Sequence, residues 1–437
     1  MSASGILTSY SNHVQTHSTL RWRGRVTKAA GQLIESEGPY CAVGECCEIT
    51  DRLGHTYEGE VVGFRGPSVL SMAIENVEGI RYGDHIATWG EHPTIGVGTG
   101  LTGRVIDGAG KIVDSGPRFR IEQRWPLHSA APLPLERIPI SEPMGCGVRA
   151  IDGLITAGQG QRLGIFGGSG VGKSTLIGMM ARGSSADVLV LGLVGERGRE
   201  VREFLENALG EEGRRRSVVV VSTSDQPALL RIRAALAASS VAEYFCSQGK
   251  NVLLVVDSLT RVAMAQREIG LAAGEPPTSR GYTPSVFTLL ARLIERAGRF
   301  GKGSITAFYT VLMEGDDQQD PLVDSVRALL DGHVVLERRL NMQNHFPPIS
   351  VLDSLSRLMT TVCSRPHLAK ARHLRKLLAS YAGAEDLIRV GAYQKGLDPV
   401  LDRAVAAVPA INNFLQQETS KAAPFDQTLA DLLALPE

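Results

Sequence analysis

The chain has 437 residues, and its 46 Lys and Arg residues balance 46 Asp and Glu residues, so its formal net charge is zero. Without a net positive charge, no overall field draws the chain to nucleic acid or to an anionic membrane, and we expect no nucleic-acid partner. A hydrophobic content of 43% with 21% charged residues is typical of a globular protein, and this length allows about three domains.

Three further features of the sequence indicate a cytoplasmic protein. The six cysteines show neither a disulfide framework nor zinc-site spacing. The polar residues 1–20 contain no apolar core of a secretion signal. No run approaches the roughly 18 apolar residues that a membrane span requires.

The first part of the chain predicts a small β domain. We expect residues 1–20 to form a mobile N-terminal segment. Residues 21–92 contain short alternating apolar runs separated by turn signals, a spacing that predicts an antiparallel β-barrel. Residues 93–146 are rich in Gly and Pro and predict a long connection into the next domain.

The second part predicts an α/β core followed by helices. Within residues 147–364, strand-like runs alternate with helical periods, a pattern typical of a parallel sheet covered by helices on both faces. With the connection, this core domain spans residues 93–364. Residues 365–437 predict a C-terminal helical domain. The strand-like runs lie at residues 163–166, 188–193, 218–222, 252–257, 305–312 and 333–336.

The most informative motif is a phosphate-binding loop, G-x-x-x-x-G-K-[ST]. Its residues, with the next residue of the predicted helix, are Gly167, Gly168, Ser169, Gly170, Val171, Gly172, Lys173, Ser174 and Thr175. The strand-like run 163–166 precedes the loop and a helical pattern follows it, which is the context that the motif requires. In such a loop, backbone N–H groups surround the phosphates, the lysine contacts the β- and γ-phosphates, and the hydroxyl binds Mg²⁺. The sequence therefore predicts binding of a nucleoside triphosphate with Mg²⁺.

Two carboxylates follow other strands of the predicted sheet. Asp257 ends the apolar run 252–257, where it is suited to the Mg²⁺ shell, although an aspartate in that place also caps helices. Glu196 follows the run 188–193, at the strand end where such sheets bind ligands, although its charged neighbours also fit a solvated helix start. From the residues alone, both roles remain open.

A wider set of motifs resembles one family. The segment Leu193–Val201, reading LVGERGREV, is similar to the corresponding segment of the flagellar and type III secretion export ATPases, which belong to the rotary ATPases. Other segments agree with the same family, and together the resemblance covers about residues 20–415. These segments are Gln266–Gly281, Glu314–Asp317, Leu330–His333, Ser354–Arg357 and Gly391–Gln394.

The resemblance implies a RecA-like core and assigns roles to single residues. By motif position, Glu196 matches the water-activating glutamate, Lys173 and Ser174 match the phosphate and Mg²⁺ positions, and Asp257 matches the Mg²⁺-shell carboxylate. The arginines match as well: Arg197 and Arg261 line the phosphate side, and Arg357 is the finger supplied by a neighbouring subunit. Phe346 matches an aromatic that stacks on adenine, with Tyr393 as a second nucleotide neighbour. Arg357 also fits a surface arginine, and both aromatics also fit structural positions.

The function that the resemblance implies is ATP hydrolysis by a homohexameric ring, coupled to protein export. Implied partners are a regulatory or stator protein at residues 1–20, export-gate proteins, a central stalk-like protein and chaperone–substrate complexes. The segment Glu314–Asp317 resembles a loop facing the ring's channel, or else an ordinary acidic turn. The ring would be cytoplasmic and peripherally associated with an inner-membrane export apparatus. The overall resemblance favours a flagellar apparatus over a virulence-type one.

Three alternatives compete with this interpretation. The catalytic subunit of a rotary ATP synthase or proton pump shares the core, but it carries a strongly acidic loop in its C-terminal helical domain. The corresponding region here, Lys370–Gly391, is basic at first and has only Glu385 and Asp386 later. An RNA-translocating helicase ring needs a basic, aromatic-bearing barrel, and residues 21–92 are not basic. A non-hydrolysing ring subunit would lack the glutamate at position 196.

Overall fold

The computed structural model describes residues 20–313 and 320–436. Its first domain is a closed barrel of six strands in the order β1-β2-β5-β4-β3-β6. Alternate side chains point inward and form a small core of Val26, Ile34, Cys47, Ile49 and Ile86. The predicted barrel is confirmed. The strands are β1 (Trp22–Ala30), β2 (Leu33–Glu37), β3 (Cys46–Thr50), β4 (Thr56–Arg65), β5 (Ser68–Ala73) and β6 (His85–Thr88).

The segment after the barrel is more than a connection. Strands β7 (Thr94–Val97) and β9 (Gln123–Pro126) form a two-stranded antiparallel sheet. Between them in the sequence, β8 (Val105–Asp107) pairs with β14 (Ser217–Thr223) and forms one edge of the central sheet. The Gly- and Pro-rich composition predicted the turns of this segment but not its strands.

The central domain contains a nine-stranded, mainly parallel sheet with helices on both faces. The strand order is β19-β18-β12-β17-β15-β13-β14-β8, with β16 paired to β17. Strands β12, β13, β15 and β17 are almost continuously apolar because helices cover both of their faces. The remaining strands are β10 (Pro143–Met144), β11 (Ala157–Gly158), β12 (Arg162–Gly167), β13 (Val188–Glu196), β14 (Ser217–Thr223), β15 (Asn251–Asp257), β16 (Gly298–Arg299), β17 (Ser304–Leu312), β18 (Gly332–Leu336) and β19 (Ile349–Ser356).

The helices of the central domain follow the strands in alternation. They are α1 (Arg149–Leu154), α2 (Lys173–Gly183), α3 (Gly198–Glu203), α4 (Gly210–Arg215), α5 (Ala228–Ser247), α6 (Leu259–Ala273), α7 (Pro284–Ile294), α8 (Pro321–Leu329), α9 (Arg338–Met342) and α10 (Met359–Val362). A π-helical segment, Phe204–Leu209, joins α3 to α4.

The C-terminal domain is helical, as expected. It consists of α11 (Arg365–Arg389), α12 (Pro399–Leu415) and α13 (Phe425–Ala434). Ala371, Leu374, Ala404 and Ile411 belong to the same apolar core as α1 and α2, so these helices pack directly on the central domain. Among the helices of residues 20–313 and 320–436, none is both long and apolar enough to cross a bilayer.

The sheet order brings the predicted site residues to one edge. In a parallel sheet, the carboxyl ends of all strands face the same side, where ligands bind. Gly167 ends β12, Glu196 ends β13 and Asp257 ends β15, and β17 lies between β12 and β15. Residues 1–19 and Glu314–Asp317 lie outside the described residues.

Candidate active site

The phosphate-binding loop has the backbone geometry that its glycines permit. Gly170 and Gly172 have φ values of 74° and 112°, in the left-handed region where a side chain is strained. Gly172 is the N-cap of α2, which begins at Lys173. The loop therefore ends at a helix N-terminus, where backbone N–H groups and the helix dipole favour an anion.

Lys173 is folded back onto this loop. It is only 9% exposed, and its Nζ donates hydrogen bonds to the carbonyl oxygens of Gly168 (2.7 Å) and Gly167 (3.2 Å). Burial lowers the pKa of Lys173, while the nearby carboxylates of Asp257 and Glu196 oppose that shift. An ammonium group held beside the loop can contact phosphate oxygens without a large rearrangement.

Asp257 is buried at the end of β15. Its Oδ1 accepts a hydrogen bond of 2.5 Å from the hydroxyl of Thr310 on the adjacent strand β17. Burial raises its pKa, and the Thr310 hydrogen bond and the charges of Lys173 and Arg261 partly offset this. With the exposed Ser174 hydroxyl, Asp257 offers two oxygen ligands beside the loop. Mg²⁺ commonly binds to one or two protein oxygens, phosphates and water, so this donor set fits it.

Glu196 reaches the cavity through a bulge in β13. The register shifts between Val194 and Glu196, and Gly195 has a φ of 69°. A Cβ at Gly195 would lie 3.0 Å from the Cβ of Arg261, so the glycine allows Arg261 to pack closely. Burial raises the pKa of Glu196 to about 7, with contributions from Asp257 and from a hydrogen bond to Glu200. A carboxyl with a pKa near neutrality is suited to accept a proton from water.

The two predicted arginines flank the same cavity in different ways. Arg197 is exposed and forms an ion pair of 3.3 Å with Glu200. Arg261 lies on α6, and its buried Nε has no hydrogen-bond partner within residues 20–313 and 320–436. A buried guanidinium N–H needs an acceptor, and a phosphate oxygen would provide one.

These side chains line one cavity of about 460 Å³. It is bordered by loop residues 169, 170 and 172–175 and by Glu196, Arg197, Asp257 and Arg261. The structure thus brings together the predicted phosphate, metal and water-activating positions. The π-helical segment forms another wall through Phe204, Asn207 and Ala208.

Phe346 lies in a second cavity, of about 830 Å³, between the central and C-terminal domains. Pro348, two residues later, would be 3.6 Å from a Cβ at Gly172, so the segment carrying Phe346 rests against the phosphate-binding loop. Arg149 and Gln417 border the same cavity. The residues that line this cavity differ from those that line the phosphate-loop cavity.

The structure does not bring Arg357 or Tyr393 to the phosphate-loop cavity. Arg357 is exposed and follows β19, and its N–H donates to the carbonyl of Asp331, just before β18. It therefore lies at the opposite, amino edge of the sheet. Tyr393 lies in the C-terminal domain, where its hydroxyl donates to Asp402 at 2.7 Å, and it lines neither cavity. A nucleotide contact by Tyr393 has no support from this geometry.

Sequence reasoning missed the side chains that hold the loop from outside. Asn341 Nδ2 donates to the Val171 carbonyl at 3.0 Å, and Arg338 donates to the Ser169 carbonyl at 3.3 Å. Both residues lie on α9, about 170 positions after the loop residues that they contact, and no local motif marks them. Thr310 has only a weak sequence signal, a hydroxyl within the apolar run 305–312. Its place beside Asp257 follows from the pairing of Tyr309 with Val256, which the fold reveals.

Two family models match most of the chain. The ATP synthase alpha/beta family, nucleotide-binding domain, matches residues 147–356, and the T3SS EscN ATPase C-terminal domain matches residues 363–434. The first covers the phosphate-binding loop, Glu196 and Asp257, and the second covers the C-terminal helices.

Individual relatives are similar over nearly the full length. A flagellum-specific ATP synthase of Bacillus subtilis is 49% identical over 414 residues, 94% of each chain. A type 3 secretion system ATPase of Sinorhizobium fredii is 48% identical over 93% of this chain and 90% of its own. Among solved structures, the assembled ATPase EscN of enteropathogenic E. coli, in complex with its central stalk EscO, is 44% identical with a TM-score of 0.86. That match covers 94% of this chain and 98% of EscN.

Proposed function

The chain belongs to the family of flagellum-specific and type III secretion ATPases, and we propose that it hydrolyses Mg²⁺-ATP in a ring that drives protein export. The observation that carries this proposal is the convergence of Lys173, Glu196, Asp257 and Arg261 on one cavity at the carboxyl edge of the sheet.

Each side chain has a chemical role in this proposal. The loop N–H groups and Lys173 bind the β- and γ-phosphates, and Arg261 donates its unpaired N–H to the transferred phosphate. Glu196 orients the attacking water and accepts its proton. Ser174 and Asp257 would hold Mg²⁺, which when bound would supply positive charge beside the phosphate oxygens. Arg197, at the cavity's rim, adds a further positive charge.

The remaining positive charge comes from a second subunit. Arg357 lies near Asp331, whose N–H donates to the carbonyl of Arg162 at the start of β12, whereas the phosphate-binding loop follows Gly167 at its end. At about 3.3 Å per residue, the length of β12 separates the two by about 17 Å. Arg357 cannot reach its own site and is free to serve a neighbour's. A head-to-tail contact of this kind either closes into a ring or continues as a filament, and we propose a closed ring of six subunits.

The export role follows from the family and assigns surfaces to partners. EscN forms an assembled ATPase with a central stalk protein, and we propose an assembled ring and a stalk-like partner for this chain. We further propose that residues 1–20 bind a regulatory or stator protein and that residues 314–317 face the channel. Chaperone–substrate complexes and export-gate proteins would meet this ring at the cytoplasmic side of an inner-membrane apparatus.

The competing functions are disfavoured. Relatives named for flagellar or type III secretion systems cover over nine-tenths of the chain, and the C-terminal helices match the domain of a secretion ATPase. This distinguishes the chain from a synthase subunit and from an RNA helicase. Between flagellar and virulence-type export, we propose flagellar export, because four relatives at 48% or 49% identity carry the flagellar name, although the Sinorhizobium fredii type 3 secretion system ATPase also reaches 48%.

Gene deletion with complementation tests this function. We expect deletion to abolish motility and filament assembly, and the wild-type gene to restore both. Glu196→Gln should fail to restore them, whereas Glu211→Gln, which changes an exposed carboxylate outside the cavity, should succeed. Motile deleted cells with intact filaments would refute the flagellar assignment. Purified Glu196→Gln protein with normal ATP turnover would refute the catalytic assignment.

A further inference from the structure

The buried side-chain amide of Gln417 connects the C-terminal domain to the central domain beside the second cavity, the one that Phe346 borders. Gln417 follows α12 in the segment 416–424 that leads to α13, and it is only 6% exposed. Its Nε2 donates to the carbonyls of Gly147 (2.9 Å) and Lys421 (2.7 Å), and its Oε1 accepts from the N–H of Arg149 (2.9 Å). The side chain therefore has all of its donors and one acceptor site satisfied by backbone groups.

The backbone of Gln417 contacts Phe346, the residue proposed to stack on the base. Its N–H donates to the carbonyl of Phe346 at 2.8 Å. Because the side chain fixes Gln417 to Gly147 and Arg149, it also fixes the point from which Phe346 is held. Pro348 rests against the loop at Gly172, so the position of Phe346 is defined between the phosphate-binding loop and Gln417.

The far anchor of this amide is itself rigid. Gly147 has a φ of 76°, and a Cβ there would lie 2.5 Å from the Cα of Gly183, at the end of α2. Asp152, 1% exposed, accepts hydrogen bonds from the N–H groups of Cys146 (2.7 Å) and Gly147 (3.0 Å). Gly147 is therefore held against the helix that begins with Lys173. Gln417 joins the end of that helix to Phe346.

We propose that Gln417 is a positioning residue for nucleotide binding, which sets the place of Phe346 relative to the phosphate-binding loop. This inference rests on the proposed contact between Phe346 and the base. It assigns Gln417 an effect on the affinity for the nucleoside and none on the affinity for the phosphates. Loss of its hydrogen bonds should release Phe346 without disturbing Lys173 or Glu196.

The test compares binding of ATP with binding of inorganic tripolyphosphate, which has no base. For Gln417→Leu, we expect the KM for ATP to rise about tenfold, since several buried hydrogen bonds are lost. The kcat and the inhibition constant of tripolyphosphate should change less than about twofold. Gln248→Leu, which replaces an exposed amide at the end of α5, should leave all three at wild-type values.

A double-mutant cycle separates this inference from the proposed function. If Gln417 acts through Phe346, Phe346→Ala should raise the KM for ATP, and adding Gln417→Leu should raise it little further. Additive effects, or an equal loss of tripolyphosphate affinity in Gln417→Leu, would overturn the inference. An unchanged KM in Phe346→Ala would instead overturn the base contact. Should Gln417→Leu not fold, Gln417→Glu serves the same test. Its carboxylate still accepts from the Arg149 N–H, but it places an oxygen acceptor where the Gly147 and Lys421 carbonyls need a donor.

Discussion

Glu196 lines the cavity beside the phosphate-binding loop, and its carboxyl keeps its proton up to neutral pH. Burial, Asp257 and Glu200 raise its pKa to about 7. If Glu196 accepts the proton of the attacking water, only its ionised form is active. We expect kcat to rise as the pH increases through about 7 and to level off above it, with a slope approaching tenfold per pH unit on the acid side. Steady-state rates at saturating Mg²⁺-ATP, measured from about pH 5.5 to about pH 8.5, test this.

The same shift predicts the stability of the inactive variant. Folded Glu196 keeps its proton to about pH 7, whereas the unfolded chain releases it near the ordinary value of 4.5. The folded state therefore binds more protons in this interval, and the stability that Glu196 contributes is lost as the pH rises through it. Glu196→Gln removes the ionisation, so its melting temperature should exceed that of the wild type more at about pH 8 than at about pH 5.5. An equal difference at both pH values would contradict the raised pKa.

Among single residues, the sequence predicted those that belong to local motifs. Lys173 and Ser174 follow from the loop pattern, and Asp257 follows from its place at a strand end. Asn341 and Gln417 could not be found in this way. Each contacts backbone groups far away in the chain, at Val171 and Gly147, and a side-chain amide on its own indicates no partner.

Elements around the site pack closely enough to depend on single glycines. Gly178 lies in the middle of α2, and a Cβ there would overlap the carbonyl of Ala208 in the π-helical segment. Gly178→Ala should therefore push this cavity wall away and cost about 1–3 kcal/mol of unfolding free energy. Denaturant unfolding and the KM for ATP measure both effects.

A matched glycine provides the control for this prediction. Gly383 lies within α11, and a Cβ added there would meet none of the described atoms within 4 Å. Alanine at this position only improves helix propensity, so Gly383→Ala should stabilise the protein by about 0.5–1 kcal/mol. The same substitution is thus expected to have opposite signs in two helices. Equal effects at both positions would mean that the close contact of α2 with the π-helical segment is unimportant.

The barrel and the central domain are joined by a buried charge cluster. Glu60 on β4 accepts hydrogen bonds from Arg233 on α5 (3.0 Å) and from His128 (3.1 Å). Burial alone would raise the pKa of Glu60, but these partners hold it below its ordinary value. Glu60→Gln leaves the buried Arg233 without its counter-charge and should cost about 3 kcal/mol at neutral pH. Urea unfolding at several pH values measures this.

The sign of the pH dependence follows from the lowered pKa. The stability contributed by ionised Glu60 is present above its unfolded pKa of about 4.5 and is lost as the pH falls through its folded value. The difference between wild type and Glu60→Gln should therefore shrink toward acid pH. Glu35→Gln, which breaks the more exposed pair with Arg65, should cost less than about 1 kcal/mol. Equal costs for the two variants would contradict a special role of the buried cluster.

Elements were predicted where burial makes the sequence pattern strong. The central strands are apolar on both faces, so their runs were recognised, and β13 and β15 begin and end near the expected residues. The edge strands β8 and β19 were missed. β19 is partly exposed and carries Asp353 and several serines, and β8 has only three residues. The π-helical segment keeps a helical pattern in sequence, and only its packing against Gly178 distinguishes it.

In the proposed ring, two neighbouring subunits together would complete each active site. Glu196 and Arg357 lie at opposite edges of the sheet within one subunit, so in the proposed ring each site takes Glu196 from one chain and Arg357 from the next. An arginine finger contributes roughly 10³–10⁵ in rate. We expect Arg357→Ala to bind ATP normally but to hydrolyse it poorly, and wild-type specific activity to fall on dilution as rings dissociate.

Mixing two inactive variants tests this division directly. In a ring that contains Glu196→Gln and Arg357→Ala subunits, some interfaces join an intact Glu196 from one variant to an intact Arg357 from the other. Random mixing in equal amounts makes about a quarter of the interfaces complete. Activity should therefore appear on mixing, reach up to about a quarter of the wild-type rate if sites work independently, and decrease at ratios far from one to one. If Arg357 acted within its own subunit, no interface could be repaired, and mixtures that co-assemble by native mass spectrometry would stay as inactive as either variant alone.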